Sequence, residues 1–549
     1  IQLIPTGTVL HKGGPCSFNP PFIMKKFLLL LLSAITLSTA FAQEEQETTP
    51  AQIFKSAPRN YAAEAQPETN PIIVERLEEW KDLKFGFMVH WGPYSQWGVV
   101  ESWSICSEPW ISRDGAPYME YVQNYRKLNR TFKPNKFDAK RWAKNASDAG
   151  MKYVVFTTKH HDGFCLWPNP VSTHTVRESS WREGRGDVLR ELSEACKEYG
   201  LGFGVYISPW DRNAPTYGTP EYNNVFRQTL EHALTQYGPI YEQWFDGANG
   251  EGPNGRRQQY DWPLFNATVA RLQPQAVIFS DVGPGCRWMG NEQGFCGSTC
   301  WSRLSVAGFA PGAEAPAPAV LNSGESDGEC WIPAETDVSI RPGWFHHASE
   351  QPKSLQQLLG IYYTSVGRNS LLLLNVPPDA RGRIDAADSL RLMEFRAALD
   401  TIFAYDIAQG GRITASQERG RAKGSRRYRA ENVLDTAYHT YWTAEDSTLQ
   451  PTLTLTFPQE VVFNRLMLQE YIPLGQRVVH FTLQIMDGAG TWITAARGTT
   501  IGYKRILCLP TIGTTAIRIC FDASLAVPVI NRVALYNDRL YNPEEEVEL

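Results

Sequence analysis

The sequence predicts an α/β chain built as a (β/α)8-like, TIM-type barrel, partly irregular, followed by a C-terminal β-sandwich. Three observations carry this reading. Short apolar runs alternate with helical segments from about residue 75 to 400, the pattern of parallel strands joined by crossover helices. Several of those runs end in polar, chemistry-bearing side chains, as barrel strands do at their catalytic end. After Asp400 the runs alternate strictly between apolar and polar and are separated by Gly, Asp and Pro, the mark of a half-exposed antiparallel sheet.

Residues 1–23 read as an upstream segment outside the native protein. Met24-Lys25-Lys26, the apolar run from Phe27 and Ala40-Phe41-Ala42 form a signal peptide over 24–42. The expected location is periplasmic or secreted, with a mature start near Gln43. The apolar run is too short for a good membrane span. Residues 43–74, rich in Glu, Gln, Thr, Pro and Ala, make a flexible lead-in. The catalytic barrel is expected over 75–400, opening with a short helix at Glu75–Trp80 and a buried strand over Phe85–His90. A helix around Lys140–Ala146 stops at Ala149-Gly150. The strand Tyr153–Thr158 then runs into Lys159-His160-His161-Asp162-Gly163-Phe164. A helix over Val188–Tyr199, a strand over Gly202–Ser208 and a helix over 220–237 follow. The short strand Pro239–Gln243 delivers Trp244-Phe245-Asp246-Gly247-Ala248. Strands are read at Gln275–Asp281 and Ser370–Val376. Residues 286–350 are irregular, so the second half of the barrel is expected to be distorted.

Within 401–549, Pro451–Phe457, Phe481–Met486 and Ala516–Phe521 predict strands. Asp435-Thr436 with Tyr441-Trp442-Thr443 resembles a discoidin, or galactose-binding-like, module. A packing role without ligand is the favoured reading of this domain.

Composition narrows the function. The 549 residues carry a net charge of −5 without a basic block, which excludes nucleic acid as a natural partner. Seventeen Trp residues fill cores and offer faces on which sugars stack. The ten cysteines are scattered without paired C-x-x-C spacing, so no zinc site is read.

Four strand ends gather polar groups on one rim: His90, His160 with His161, Tyr206, and Asp246. The His doublet lacks the D-x-D or H-x-x-E partners of a metal site, so no metal is expected. Uncharged imidazoles and a phenol around one aspartate suit hydrogen bonding to sugar hydroxyls. Trp91, Trp110, Trp167, Trp210, Trp244, Trp301 and Trp344 are the expected stacking faces. Glycoside hydrolysis needs a second carboxyl. Glu292, in a turn flanked by Gly290 and Gly294, is the expected acid/base; Glu325, Glu329 and Glu335 compete for the role.

His90-Trp91-Gly92, the Lys159–Phe164 block, Tyr206 and Trp244-Phe245-Asp246-Gly247, in this order, resemble glycoside hydrolase family 29, the retaining α-L-fucosidases, over about residues 75–400. Arg287–Glu292 and Arg341–Phe345 resemble the subgroup specific for α-1,3/1,4-linked fucose. The resemblance implies Asp246 as nucleophile and Glu292 as acid/base. It implies His90, Trp91, Glu108, Trp110, His160, His161, Tyr206, Trp244, Arg341 and Trp344 as substrate-binding positions, although Pro109 interrupts the Glu-Trp pair many members carry. Fucosylated oligosaccharides or glycoconjugates would be the partners, with no cofactor. Two other classes stay open: a carbohydrate-binding protein without catalysis, against which the two carboxylates argue, and a barrel glycosidase for another sugar.

Overall fold

The structure, a computed structural model, describes residue 71 and residues 85–543 other than 101, 108–110, 112 and 114. The expected signal peptide, lead-in and Glu75–Trp80 helix lie outside the described residues, as do Glu108 and Trp110. The described residues belong to one compact unit.

Eight parallel strands close a barrel: β1 (Phe85–Val89), β2 (Tyr153–Lys159), β3 (Gly202–Ile207), β4 (Glu242–Trp244), β5 (Val277–Ser280), β6 (Cys286–Trp288), β7 (Ala334–Ser339) and β8 (Leu371–Asn375). Each strand pairs with its neighbour in sequence, and β8 closes on β1 with Phe85 opposite Leu372. The helices α1 (Ala139–Asp148), α2 (Val188–Glu198), α3 (Glu221–Gln236), α4 (Trp262–Leu272), α5 (Leu355–Thr364) and α6 (Ala386–Ile402) surround it. Five of the six begin at a side-chain cap: Asp138, Asp187, Asp261 and Asp385 accept from first-turn amides, and Ser354 with Gln357 forms a capping box. Among the described residues, no helix is long and apolar enough to cross a membrane.

The expected distortion falls between β5 and β7. No helix separates β5 from β6, and a long irregular excursion separates β6 from β7. That excursion holds only the six-residue helix Pro318–Ser323 and a two-stranded ribbon, Arg303–Leu304 with Cys330–Trp331. Arg287, wholly buried on β6, braces it by donating to the carbonyls of Leu321, Ile332 and Trp301. The fourth strand lies at 242–244 rather than 239–243, because Gly238 at φ 82° and Pro239 belong to the preceding turn.

Residues 405–543 hold a seven-stranded antiparallel sheet around its own apolar core. Its two longest strands, Thr452–Glu470 and Arg505–Ser524, pair through register shifts that let the sheet fold over that core into a sandwich. The sandwich is sealed onto the barrel. Met467, Ile506, Ala534, Tyr536 and Tyr541 join the core between barrel and helices. Ile472 and Tyr503 join the barrel's interior cluster. Tyr503 meets Trp331 and donates its amide to Asn369 Oδ1, both just before barrel strands begin, so it closes the end opposite the strand C-termini. Arg465 pairs with Asp538 at 2.9 Å, fully buried, and its guanidinium lies 4.8 Å from the Tyr363 ring of α5.

Candidate active site

The strand C-termini open into a cleft of about 1190 Å³. His90 follows β1, His160 and His161 follow β2, Tyr206 lies on β3, Trp244 ends β4, and Asp246 stands two residues beyond it. In register, Tyr206 lies opposite Trp244, which brings phenol and carboxylate together. Tyr206 donates its hydroxyl to Asp246 Oδ2 at 2.7 Å, and the Ala248 amide donates to Oδ1 at 2.7 Å. Both carboxylate oxygens are thereby aimed. His161 Nε2 sits 3.7 Å from Asp246 Oδ2, buried and without another hydrogen-bond partner.

The three imidazoles are uncharged at neutral pH. Burial lowers His90 and His161 to about 4 and His160 well below its ordinary value. Each is held by its other side. Asn375, at the end of β8, accepts from the His90 amide at 3.0 Å and lies 3.1 Å from Nδ1. Its amide nitrogen is spent on Ser339 Oγ and the Trp344 carbonyl, which fixes the oxygen toward His90 and leaves Nε2 of that ring as an acceptor. Ser102 holds His160 Nδ1, and Ser208 holds His161 Nδ1 at 2.7 Å.

Glu292 lines the same cleft. The residue as a whole is exposed, yet its carboxyl is sheltered in the cleft wall and accepts a hydrogen bond from Trp344 Nε1 at 3.0 Å. That partial desolvation raises its pKa, and the charge of Asp246 adds to the rise. Trp344 in turn packs 5.0 Å from His90.

Beneath the cleft, Glu335 of β7 accepts from Trp244 Nε1 at 3.2 Å and Tyr153 Oη at 3.0 Å. Burial raises it to about 7, and it hydrogen-bonds Glu242 of β4. With Cys286 these carboxyls bring ligand-type atoms within 4.8 Å of one another, the one such trio among the described residues. Glu335 is already occupied by two protein donors and by a carboxyl that shares its proton, so the trio reads as a polar floor for Trp244.

Not every expected residue reaches the cleft. Trp91 is turned to the outside of the barrel, stacked on Phe137 and edge-on to Trp142, with its indole donating to the Asp379 carbonyl. Arg341 is buried and spends its guanidinium on Asp388 at 2.8 Å and on the carbonyls of His347 and Glu350, so it holds the β7–α5 connection. Trp244 lines the cleft with its edge alone, since its faces stack on Tyr206 and Phe279. Trp103, Trp288, Asp281 and Asp337 were not expected and all line the cleft. Trp103 packs edge-on against His161 and Trp210. Asp281 accepts the Gly312 amide at 2.6 Å, tying down the cleft-lining segment 309–314; burial, then the Asp246 charge, raises it to about 6.

A closed parallel barrel that presents an aimed aspartate, a second carboxyl with raised pKa and neutral imidazoles over one cleft defines a barrel glycoside hydrolase. The family model for alpha-L-fucosidases matches residues 52–400. The chain is 42% identical to alpha-L-fucosidase 1 of Arabidopsis thaliana over 411 residues, covering 74% of this chain and 80% of that protein. A solved glycoside hydrolase family 29 member from a rumen bacterium superposes with a TM-score of 0.70 at 33% identity, covering 85% of this chain and 77% of that one. A Ruminococcus gnavus fucosidase of the same family, solved with fucose, gives a TM-score of 0.72 at 27% identity, covering 90% of this chain and 99% of that one. The chain belongs to the α-L-fucosidase family, glycoside hydrolase family 29.

Proposed function

We propose that this α-L-fucosidase works with retention, through a covalent fucosyl-enzyme, and removes fucose in α-1,3 or α-1,4 linkage from branched glycans. The observation that carries the mechanism is the contrast between the two carboxyls. Asp246 is aimed by two donors and has a neutral imidazole beside it. Glu292 is sheltered and biased toward its protonated form. Such a pair divides the work of nucleophile and general acid. In the first step the Asp246 carboxylate attacks the anomeric carbon while Glu292 protonates the departing glycosidic oxygen. In the second, Glu292 takes a proton from water, which displaces Asp246 and releases fucose. Retention requires the two carboxyls to stand about 5–5.5 Å apart in the working complex. Neutral His90, His160 and His161 suit the sugar hydroxyls.

The linkage reading rests on the subgroup-like stretches Arg287–Glu292 and Arg341–Phe345, the first of which delivers Glu292 to the cleft. The test uses fucosylated trisaccharides that differ in linkage, followed by NMR. The α-anomer of fucose is expected as first product, released faster from α-1,3 and α-1,4 than from α-1,2 linkages. Early β-fucose refutes retention, and faster α-1,2 cleavage refutes the linkage assignment. The segment 24–42 supports the further proposal that the chain is exported to the periplasm or beyond. N-terminal sequencing of the mature protein is then expected to begin near Gln43, and an intact Met24 in the cell-associated form would count against export.

A further inference from the structure

Asp337 has no part in the chemistry above. It lies on β7 between Glu335 and Ser339, and those three side chains alternate toward the barrel interior. Glu335 serves the floor and Ser339 the Asn375 network. Asp337 stands between them, lining the cleft while only 3% exposed. Its Oδ1 is buried without a hydrogen-bond partner. A buried polar oxygen left unmatched is costly, and the residue that carries this one lines the cleft wall beside Asp246 and Glu292.

We propose that Asp337 is a third carboxyl of the sugar site, offering its buried oxygen to one of the ring hydroxyls of the sugar bound against Asp246. The inference rests on the fucosidase reading of the cleft. The surroundings define how it binds. The charged groups that act on it are Glu292, Glu335 and Asp246, all acidic. Burial first, and then the charge of Glu292, hold it well above the usual carboxylate range. It therefore meets the sugar as a neutral carboxylic acid, able to donate to and accept from one hydroxyl. In that state it adds no negative charge to the path by which Glu292 loses and regains its proton. Asp337 is then a binding and specificity residue, distinct from the nucleophile and the acid/base.

The neutral form dictates the test. Asp337→Asn keeps both a donor and an acceptor in the same shape, whereas Asp337→Ala removes both. Binding of L-fucose and of its 2-, 3- and 4-deoxy analogues is measured by calorimetry, beside kcat/KM on a fucosylated trisaccharide. Asp337→Asn is expected to bind fucose within about threefold of wild type, and Asp337→Ala roughly 10–100-fold more weakly. For one of the three deoxy sugars the wild type and Asp337→Ala are expected to agree within about twofold, because the partner hydroxyl is already gone. The melting temperature of Asp337→Ala is expected to match or exceed that of the wild type. Equal fucose binding by wild type and Asp337→Ala overturns the proposal. So does a loss that stays the same for all three deoxy sugars, or an Asp337→Asn variant as weak as Asp337→Ala. A wild type that neither binds nor releases fucose refutes the fucosidase reading instead, so the two failures are told apart.

Discussion

The proposed mechanism requires Glu292 to carry a proton that Asp246 lacks, and the shelter of the cleft wall biases Glu292 that way. Glu292→Ala is expected to lose roughly 10²–10⁴-fold in kcat on a natural trisaccharide. With a substrate whose leaving group departs unprotonated, the variant should form the fucosyl-enzyme and stall; azide should restore turnover as β-fucosyl azide. If Glu335→Ala or Glu325→Ala shows that rescue instead, the acid/base role moves. The imidazoles make a second prediction, on stability. His161 has a folded pKa of about 4, below the unfolded value of about 6.5. The unfolded chain binds that proton more readily. The stability gained by keeping the ring neutral is full above pH 6.5 and is lost as pH falls toward 4. Buried Glu335 and Glu470, raised to about 7, act in the opposite direction, losing their contribution as pH rises from 4.5 toward 7. The measurable quantity is therefore a difference. Between pH 7 and 5, His161→Gln should lose less stability in urea than the wild type, by roughly 1–2 kcal/mol. At this scale the sequence was legible wherever a side chain leaves the end of an apolar strand, as His90, His160, His161 and Asp246 do. Trp103 and Asp337 were not legible. Trp103 sits in a 3₁₀ turn without periodicity, and Asp337 lies inside a strand that does not read as one.

That strand, β7, shows how a site hides an element. Its sequence, AETDVS, places Glu335, Asp337 and Ser339 on the interior face and leaves Ala334, Thr336 and Val338 outside. A barrel strand is recognised by apolar residues on both faces. Here the inner face supports Trp244 and lines the cleft, so it carries carboxyls and a hydroxyl where a barrel strand would carry apolar side chains. β6, Cys286–Trp288, has the buried Arg287 at its centre and so carries no apolar run. The six other strands bury apolar side chains and were read from sequence, with β4 displaced by the Gly238-Pro239 turn. A prediction belongs to the segment that Asp281 ties to the cleft. Gly312 has φ 86°, and a Cβ there would collide with the carbonyl of Gly247, next to Asp246. Gly312→Ala should lift this segment. KM for a branched trisaccharide is expected to rise while the melting temperature moves by only a few degrees; unchanged KM would separate this wall from substrate.

Across the whole chain, the sandwich serves as the base of the barrel. Truncation after Asp400 should leave the Tyr503 and Ile472 contacts open and give an insoluble or strongly destabilised protein. A truncated form that folds with full activity would overturn the packing role and favour an independent glycan-binding one. A milder probe is Arg465→Met, which leaves the buried Asp538 carboxylate with the Tyr363 hydroxyl and two backbone amides but without its charge partner. It should cost about 3–5 kcal/mol in urea unfolding, with the fucose affinity of the folded protein unchanged. The succession of barrel and sandwich was legible because alternation replaces crossover periodicity along the chain. The intimacy of the junction was not, since Met467, Ile506 and Tyr536 read in sequence like ordinary inward positions of an isolated sheet.

The closure by Tyr503 and Ile472 lies at the strand beginnings, whereas the cleft lies at the strand ends. Laboratory evolution of this enzyme can therefore treat the two ends as separate accounts of risk. Libraries aimed at new linkages belong in the 306–314 and 344–350 connections, which stand clear of the hydrogen bonds that tie Ser298, Cys300 and Ser302 to the sandwich. Thermal hardening belongs at the base, where stronger packing leaves the selectivity of the opposite rim alone.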